Sequence, residues 1–194
     1  MNKSELILLD LPDQIETDRL ILRVSQPHDG KIVHPVFEAS YEQIIQYLDW
    51  AHGQTADDTE RYMRRSRADF IMRENYVFLM LNKTTSEFIG MCSGHTRNET
   101  VPEYEIGYWQ STALSGQGYM TEAVKAVTGY LFHYLHTERV MIRCDQNNLG
   151  SAGVARRAGF KDEGCLRNRE FNKYTGGWRN MLFFSLLRDE WSAE

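Results

Sequence analysis

The spacing of apolar residues divides the chain into segments with the period of a strand and segments with the period of a helix. Seven segments alternate or run apolar as strands do: 16–24, 76–81, 88–94, 104–109, 139–144, 160–167 and 178–187. Four segments carry apolar residues at helical spacing: 31–48, 55–73, about 119–135 and 148–159. Residues 1–15 form a lead-in. The earlier strands are joined by hairpins and the later ones alternate with helices, which predicts a mixed α/β sheet with helices on its faces.

The composition places the chain among globular proteins. Its 194 residues contain no internal repeat or linker-like tract, so we expect 1–194 to form a single domain with a sizeable core. No apolar run reaches membrane-span length, so no membrane partner is predicted. The formal net charge of −5 argues against nonspecific nucleic-acid binding. An edge strand near the C-terminus could pair between subunits, which leaves a homodimer open.

The cysteines and histidines give no sign of a metal site. Cys92, Cys144 and Cys165 are far apart and lack disulfide or metal-ligand spacing, so we expect small core residues in a reducing, cytoplasmic setting. The N-terminal segment lacks the apolar region and cleavage site of a signal peptide. His133 and His136 are three apart on a predicted helix, but no third ligand has matching spacing, so no metal is predicted.

The stretch 115–123, SGQGYMTEA, joins a predicted strand to a predicted helix. Gly116 and Gly118 have no side chains, so the backbone there can approach a ligand closely. Backbone N–H groups at a helix N-terminus can face an anion, which indicates a phosphate or pyrophosphate site. A tight turn before an ordinary helix is the simpler explanation of two spaced glycines, and these residues alone leave both open.

A second polar group lies in the segment 148–160, NLGSAGVARRAGF. Asn148 and Ser151 are three apart, so on the first turn of a helix their polar groups lie near one another and can face a ligand beside the sheet. Arg156 and Arg157 follow, and either could reach a phosphate. The alternative is a capping asparagine, a solvated serine and two surface arginines.

Several motifs occur in order along the chain: EIGYW at 105–109, GQGYMTEA at 116–123, NxxS at 148–151 and AGF at 158–160. Their succession resembles the GNAT superfamily of acetyl-CoA-dependent N-acetyltransferases. TDRLILR at 17–23 and GFKDEG followed by LR at 159–167 resemble the branch that acetylates the N-terminal serine or alanine of ribosomal proteins. The resemblance covers about 17–191. It implies a mixed, mostly antiparallel sheet of about seven strands, acetyl-CoA as cosubstrate and the N-terminal α-amino group of a protein as acceptor.

The resemblance also implies which residues bind the cofactor. The family's pyrophosphate loop begins with a glutamine or arginine and ends with a small residue, and Ser115 and Met120 hold those positions here. Ser115 is the stronger departure, so the loop's backbone amides are left as the main phosphate donors. Asn148 matches the asparagine that faces the pantetheine arm, and Arg156 is placed to approach the cofactor. The implied cofactor-binding residues are Tyr108, Trp109, Ser115, Gly116, Gln117, Gly118, Tyr119, Met120, Thr121, Asn148 and Arg156.

Acetyl transfer to an amine requires that the ammonium lose a proton, that the carbonyl oxygen find a donor and that the leaving thiolate gain a proton. Glu105 is the candidate base, because on its strand it shares a face with Gly107, close to the loop that contains Gly116 and Gly118 (the glycine loop). A solvent-facing glutamate is the alternative. The N–H groups of 106–109 could polarise the carbonyl. The resemblance implies Ser151 at the departing sulfur, because Ala155 occupies the neighbourhood where many GNAT enzymes have a tyrosine.

Three other functions stay open. A small-molecule amine, such as a polyamine, amino acid or aminoglycoside, would use the same fold and cofactor, with the N-terminal helices and the 174–177 loop shaping its site. A dinucleotide-binding oxidoreductase is more remote: Gly116 and Gly118 partly mimic its fingerprint and Asp145 ends the next strand, but Thr121 stands where the third glycine belongs. The third is a non-catalytic CoA-binding regulator.

Overall fold

The computed structural model describes residues 6–98 and 103–191, and an eight-stranded sheet forms the centre of that part of the chain. The strands are β1 (Gln14–Glu16), β2 (Leu20–Val24), β3 (Asn75–Asn82), β4 (Phe88–Asn98), β5 (Glu103–Gln110), β6 (Arg139–Asp145), β7 (Lys161–Asn172) and β8 (Gly177–Leu187). Their order is β1-β2-β3-β4-β5-β6-β8-β7, and neighbours are antiparallel except β5 and β6. The predicted mixed, mostly antiparallel sheet is confirmed.

Five α-helices accompany the sheet in the described ranges: α1 (Gly30–Ala39), α2 (Tyr41–Ile44), α3 (Ala56–Ile71), α4 (Tyr119–Tyr134) and α5 (Leu149–Arg157). Thr55 caps α3 through a reciprocal pair of hydrogen bonds with Asp58. None of the helices described is long and apolar enough to cross a membrane.

Two element boundaries differ from the prediction. The helix predicted over 31–48 divides at Ser40, whose buried hydroxyl accepts a hydrogen bond from the backbone N–H of Thr112 at 3.1 Å. That contact anchors the chain beside the glycine loop instead of continuing the helix. β1 spans the end of the predicted lead-in and the first residue of the strand predicted over 16–24, which is interrupted at 17–19 before β2; three residues are too few to show a strand period.

The sheet is covered on both faces, as the apolar run at 76–81 predicts. Tyr76, Phe78 and Met80 belong to the cluster beneath α4, whereas Val77 and Leu79 belong to a second cluster beneath α1 and α3. All five side chains are at most 2% exposed. β3 is therefore a central strand between two helical layers, and the layer of α1 and α3 forms one wall of the site described below.

β5 and β6 are hydrogen-bonded over only three residues each. Their parallel pairing ends at Glu105 and Met141, although β5 still pairs with β4 as far as Gln110 and β6 still pairs with β8 as far as Asp145. The two strands therefore separate in the middle of the sheet. The glycine loop follows β5 and α5 follows β6, so both candidate motifs lie at the mouth of this opening.

The three cysteines differ in their surroundings. Cys92 and Cys144 are buried as expected, but Cys165 is exposed on β7, so its assignment to the core was wrong. β7 is the last strand in the sheet order and almost all of its side chains are exposed, which the residues around Cys165 did not indicate. Burial raises the pKa of the Cys92 and Cys144 thiols, and a thiol that stays protonated reacts slowly.

We expect iodoacetamide to modify Cys165 and to spare Cys92 and Cys144 in the native protein, because only an accessible thiol can form a reactive thiolate. Peptide mass spectrometry after brief labelling should find about one alkylated cysteine per chain. The same reaction in denaturant supplies the control, with all three modified. Equal labelling of Cys92 in the native state would contradict the buried position of β4.

Candidate active site

The glycine loop reaches α4 through two residues of left-handed backbone. Gly116 has φ of 78° and Gly118 has φ of 84°, a region that glycine enters without steric cost. Gly118 is the N-cap of α4 and offers no side-chain acceptor to the first turn. The N–H groups of that turn have no partner within the helix, so they and the helix dipole can face an anion.

The turn between β1 and β2 contacts both the glycine loop and the first turn of α4. Thr17 Oγ1 donates to Glu122 Oε1 at 2.6 Å and Arg19 Nε donates to Oε2 at 2.7 Å, while Arg19 Nη1 donates to the carbonyl of Gln117 at 3.0 Å. Burial acts to raise the pKa of Glu122, but these hydrogen bonds outweigh it and hold the pKa below its ordinary value. The TDRL and TEA motifs therefore bind one another, a pairing that neither motif shows by itself.

Two of the predicted loop residues turn their side chains away from the mouth of the opening. Ser115 Oγ donates to the carbonyl of Ser111 at 3.3 Å and accepts from Gln110 Nε2 at 3.2 Å. Met120 is 4% exposed and packs in the core beneath α4. Met120 can therefore offer only its backbone N–H to a ligand, whereas the hydroxyl of Ser115 is exposed; binding of phosphate by the loop's amides stays a prediction.

α5 begins at the other side of the opening and is linked to β5. Asn148 Oδ1 accepts from the backbone N–H of Ser151 at 3.0 Å, so Asn148 is a helix cap whatever else it contacts. Tyr108 Oη lies 2.8 Å from Ser151 Oγ, and burial raises the pKa of the Tyr108 phenol. The two hydroxyls form one hydrogen-bonded pair between the separated strands, which the sequence did not predict.

On the face covered by α1 and α3, a cavity of about 610 Å³ meets the same opening. Its apolar lining comes from Val33, Phe37, Met63, Val77, Met91 and Trp109. Its polar lining includes Asp58, Ser93, His95, Arg97, Glu105 and Arg143. The cavity therefore joins apolar walls to a charged end at the separation of β5 and β6.

Glu105 is the last residue of β5 that pairs with β6, and its side chain is 12% exposed. Arg97 Nε donates to Glu105 Oε2 at 2.7 Å, and Arg143 Nε donates to Oε1 at 2.9 Å. One carboxylate is thus contacted by two guanidinium groups. Glu105 thus lies on the cavity wall as a fixed negative charge, and its role as a base stays a prediction.

His95 is a titratable group in the cavity that the sequence did not reveal. Its ring lies between Asn75 and Ser93, and it is the cross-strand partner of Glu105. Burial lowers the pKa of His95, with a further lowering from the charge of Arg97. The alternation of Ser93 and His95 on β4 was the available signal, but it does not show which face of the strand borders a cavity.

The chain matches the Acetyltransferase (GNAT) domain over residues 19–161. It belongs to the GNAT acetyltransferase family. A ribosomal-protein-serine acetyltransferase of Escherichia coli (strain K12) is 29% identical over 127 residues, which are 65% of this chain and 70% of that protein. The resemblance that the motifs predicted and the acyltransferase class are thereby confirmed.

Two solved structures share the fold. One is a ribosomal L7/L12 α-N-protein acetyltransferase, RimL, in complex with coenzyme A, with a TM-score of 0.82 at 22% identity, covering 93% of this chain and 98% of that one. The other is the microcin C7 self-immunity acetyltransferase MccE with acetyl-CoA and AMP, with a TM-score of 0.83 at 20% identity, covering 91% and 97%. At these identities the likeness establishes the fold.

Acetyl-CoA is the cosubstrate of GNAT acetyltransferases, and the opening of this GNAT enzyme has the features such a ligand needs. The left-handed glycines expose the loop backbone, and the first turn of α4 offers N–H groups to phosphate oxygens. The separated strands leave the edge of β5 beyond Glu105 free of sheet pairing on the β6 side. No group of three or more potential metal ligands occurs among the residues described.

The two arginines of α5 have different neighbours. Arg157 Nε donates to Thr121 Oγ1 at 3.4 Å, which places Arg157 beside the first turn of α4. Arg156 instead pairs with Asp162 at 3.4 Å and lies over the ring of Phe184. Arg156 stays the predicted cofactor contact, and Arg157 joins it as the arginine nearer the glycine loop.

Proposed function

We propose that this GNAT enzyme transfers the acetyl group of acetyl-CoA to the α-amino group at the N-terminus of a protein, of the class found in ribosomal proteins. The observation that supports this most strongly is the cavity that meets the opening between β5 and β6 with Glu105 at their junction. The name of the Escherichia coli relative supports the ribosomal acceptor. Residues 1–194 would form one catalytic domain. The proposed location is the cytoplasm, because the proposed acceptors are of the ribosomal-protein class.

The lining of the cavity favours a peptide terminus over a polyamine. Its acidic residues Asp58 and Glu105 are balanced by Arg97 and Arg143. A polyamine carries several positive charges and is recognised best where negative charge accumulates, which this balance prevents. A protein N-terminus brings a single ammonium followed by a side chain, and the apolar walls can bury that side chain.

Acetyl-CoA, when bound, supplies a thioester whose carbonyl carbon the amine attacks. Glu105 would hold the ammonium at the end of the cavity, beside the group that takes its proton. Backbone N–H groups of 106–109 would donate to the carbonyl oxygen as it gains negative charge. Ser151, held by Tyr108 at 2.8 Å, would donate a hydrogen bond to the departing sulfur. The amide donors of the loop and the first turn of α4 would hold the pyrophosphate.

The test compares acceptors at equal concentration with the purified full chain. We expect kcat/KM for peptides beginning with serine or alanine to exceed that for spermidine by at least about 10-fold, because one misplaced charge in a binding site costs over 1 kcal/mol. The same peptide with a blocked N-terminus is the matched control and should show no transfer. If acetyl is transferred only to spermidine, an amino acid or an aminoglycoside, the acceptor is a small molecule and the proposed protein N-terminus is wrong.

Thermal unfolding checks the cosubstrate. Acetyl-CoA at 100 times its Kd should stabilise the enzyme by about 2.7 kcal/mol, whereas NAD at the same concentration should leave the unfolding temperature unchanged. Stabilisation by NAD alone would support an oxidoreductase instead. Stabilisation by acetyl-CoA without turnover of any amine would support a CoA-binding regulator.

A further inference from the structure

A row of hydrogen-bonding groups runs along the cavity side of β4. Asn75 Oδ1 lies 3.2 Å from His95 Nδ1, His95 Nε2 lies 2.8 Å from Ser93 Oγ, and Ser93 Oγ lies 2.9 Å from the carbonyl oxygen of Gly107. Ser93 and His95 both line the cavity, and Gly107 lies on β5 beyond the last pairing with β6. The row thus connects a partly buried imidazole to the strand edge beside which the thioester is proposed to lie.

The hydrogen bonds of Asn75 determine which ring nitrogen of His95 carries the proton when the ring is neutral. Asn75 Nδ2 donates to Asp69 at 3.2 Å, and Asp69 is a carboxylate paired with Arg65, so Asn75 must turn its oxygen toward His95. His95 Nδ1 therefore carries a proton. In the neutral ring Nε2 is bare and can accept the hydroxyl proton of Ser93.

A protonated ring completes the row. His95 Nε2 then donates to Ser93 Oγ, and the serine hydroxyl is released to donate to the carbonyl of Gly107. The neutral ring and that carbonyl compete for the one hydroxyl proton, whereas with the charged ring every member has a partner. The geometry therefore accommodates one additional proton by a rotation of a single hydroxyl.

We propose that His95 accepts, through the hydroxyl of Ser93, the proton that the acceptor amine must lose before it attacks. This rests on the acetyl transfer proposed above and assigns the final proton acceptor of that reaction. Glu105 is less suited to that part, because both of its oxygens already accept from Arg97 and Arg143. Its fixed charge holds the ammonium beside Ser93 instead.

Each bond that breaks in the proposed reaction is matched by a bond that forms. One N–H bond of the ammonium breaks and its proton bonds to Ser93 Oγ, while the O–H bond of Ser93 breaks and that proton bonds to His95 Nε2. The neutral amine then forms the C–N bond, and the C–S bond breaks with its electron pair on sulfur. The second amine proton passes to sulfur on the Ser151 side, and His95 later releases its proton to solvent.

The charges around the ring set the pH at which it works. Burial and Arg97 lower the pKa of His95, whereas Glu105 from β5 and Asp69 from α3 oppose that lowering. The ring is therefore neutral above a pKa that lies below its ordinary value of about 6.5. Only the neutral ring can accept a proton, so kcat should rise with pH through that pKa and level off above it.

The experiment measures kcat from pH 5 to 9 with saturating acetyl-CoA and an N-terminal serine peptide. We expect His95→Gln and Ser93→Ala each to lower kcat by about 10²-fold and His95→Gln to lose the acid limb, with the KM for acetyl-CoA unchanged. His95→Asn keeps a donor toward Asn75 and should be equally slow. His133→Gln, an exposed histidine on α4, is the matched control and should match the wild type.

The outcomes separate the two proposals. A wild type that acetylates the peptide, together with a His95→Gln enzyme that keeps its kcat within two-fold and its acid limb, overturns the role of His95 alone. A wild type that acetylates no peptide overturns the proposed function and the role of His95 with it. If thermal unfolding shows that the His95→Gln variant is not folded, the Ser93→Ala variant tests the proposal. An unchanged kcat in that variant overturns proton transfer through Ser93 to His95.

Discussion

Replacing Glu105 by glutamine should lower kcat/KM for a peptide amine by about 10³-fold, or about 4 kcal/mol. The substitution keeps the shape of the side chain but removes the negative charge that two guanidinium groups contact at 2.7 and 2.9 Å. Arg97 and Arg143 then leave excess positive charge at the end of the cavity, beside the ammonium of the acceptor. A positive site repels that ammonium, so both KM and kcat should worsen.

Glu103→Gln is the matched control for that substitution. Glu103 lies two residues earlier on the same face of β5 and accepts from Arg139 Nε at 2.9 Å, and it does not belong to the cavity lining. Arg139 keeps a second partner in Glu163, so the effect on activity should stay within about two-fold. Steady-state kinetics of both variants, with the acetyl-CoA thermal shift as a check on cofactor binding, measures the difference. Equal activity in the Glu105 variant and the wild type would remove Glu105 from the reaction.

The sequence predicted those parts of the fold in which a local period is strong. The apolar run at 76–81 was confirmed as a strand buried on both faces, and Val124, Val127 and Leu131 face the core from α4. The prediction placed element boundaries wrongly where a contact with a distant part of the chain determines them. Ser40 ends α1 because of a bond to Thr112, 72 residues away, and no pattern around residue 40 indicates that bond.

The sequence predicted candidate site residues within single motifs, but it did not predict the contacts between motifs. The glycine loop, Glu105 and Ser151 were each predicted from their own segment, and the structure brings them to one opening between β5 and β6; their roles stay predictions. The bond between Arg19 and Glu122 joins residues 103 positions apart, and one sequence gives no measure of such pairing. His95 was missed for a related reason: its partner Asn75 lies on β3 and its cross-strand neighbour Glu105 lies on β5, the strands on either side of β4.

The separation of β5 and β6 connects these observations. A parallel pair that stops after three residues would leave unpaired backbone in an ordinary sheet, which is costly when buried. Here the hydroxyls of Tyr108 and Ser151 bridge part of the gap at 2.8 Å, and Ser93 contacts the carbonyl of Gly107 from the side of β4. Ser93 and Ser151 thus stabilise the opening and are also proposed to act on protons in it.

Replacing Gly90 by alanine should lower the free energy of unfolding by about 3 kcal/mol, the upper range for an overpacked site. An added Cβ would overlap the carbonyl oxygen of Trp109 and lie 2.6 Å from the Cα of Gln110, and backbone atoms cannot rotate away as a flexible side chain can. β5 would have to shift at its end, just before the glycine loop. For a chain of this size the unfolding temperature should fall by about 10 °C.

Gly129→Ala makes the same chemical change with the opposite expected sign. Gly129 lies inside α4, where an added Cβ meets Trp191 Cζ2 at an ordinary 3.6 Å, so alanine should stabilise the protein by about 1 kcal/mol through its higher helix propensity. Urea unfolding of both variants measures the two changes. Because the end of β5 leads into the loop, Gly90→Ala should also weaken acetyl-CoA binding, whereas Gly129→Ala should not. A Gly90→Ala protein as stable as the wild type would show that β4 and β5 do not approach this closely in solution.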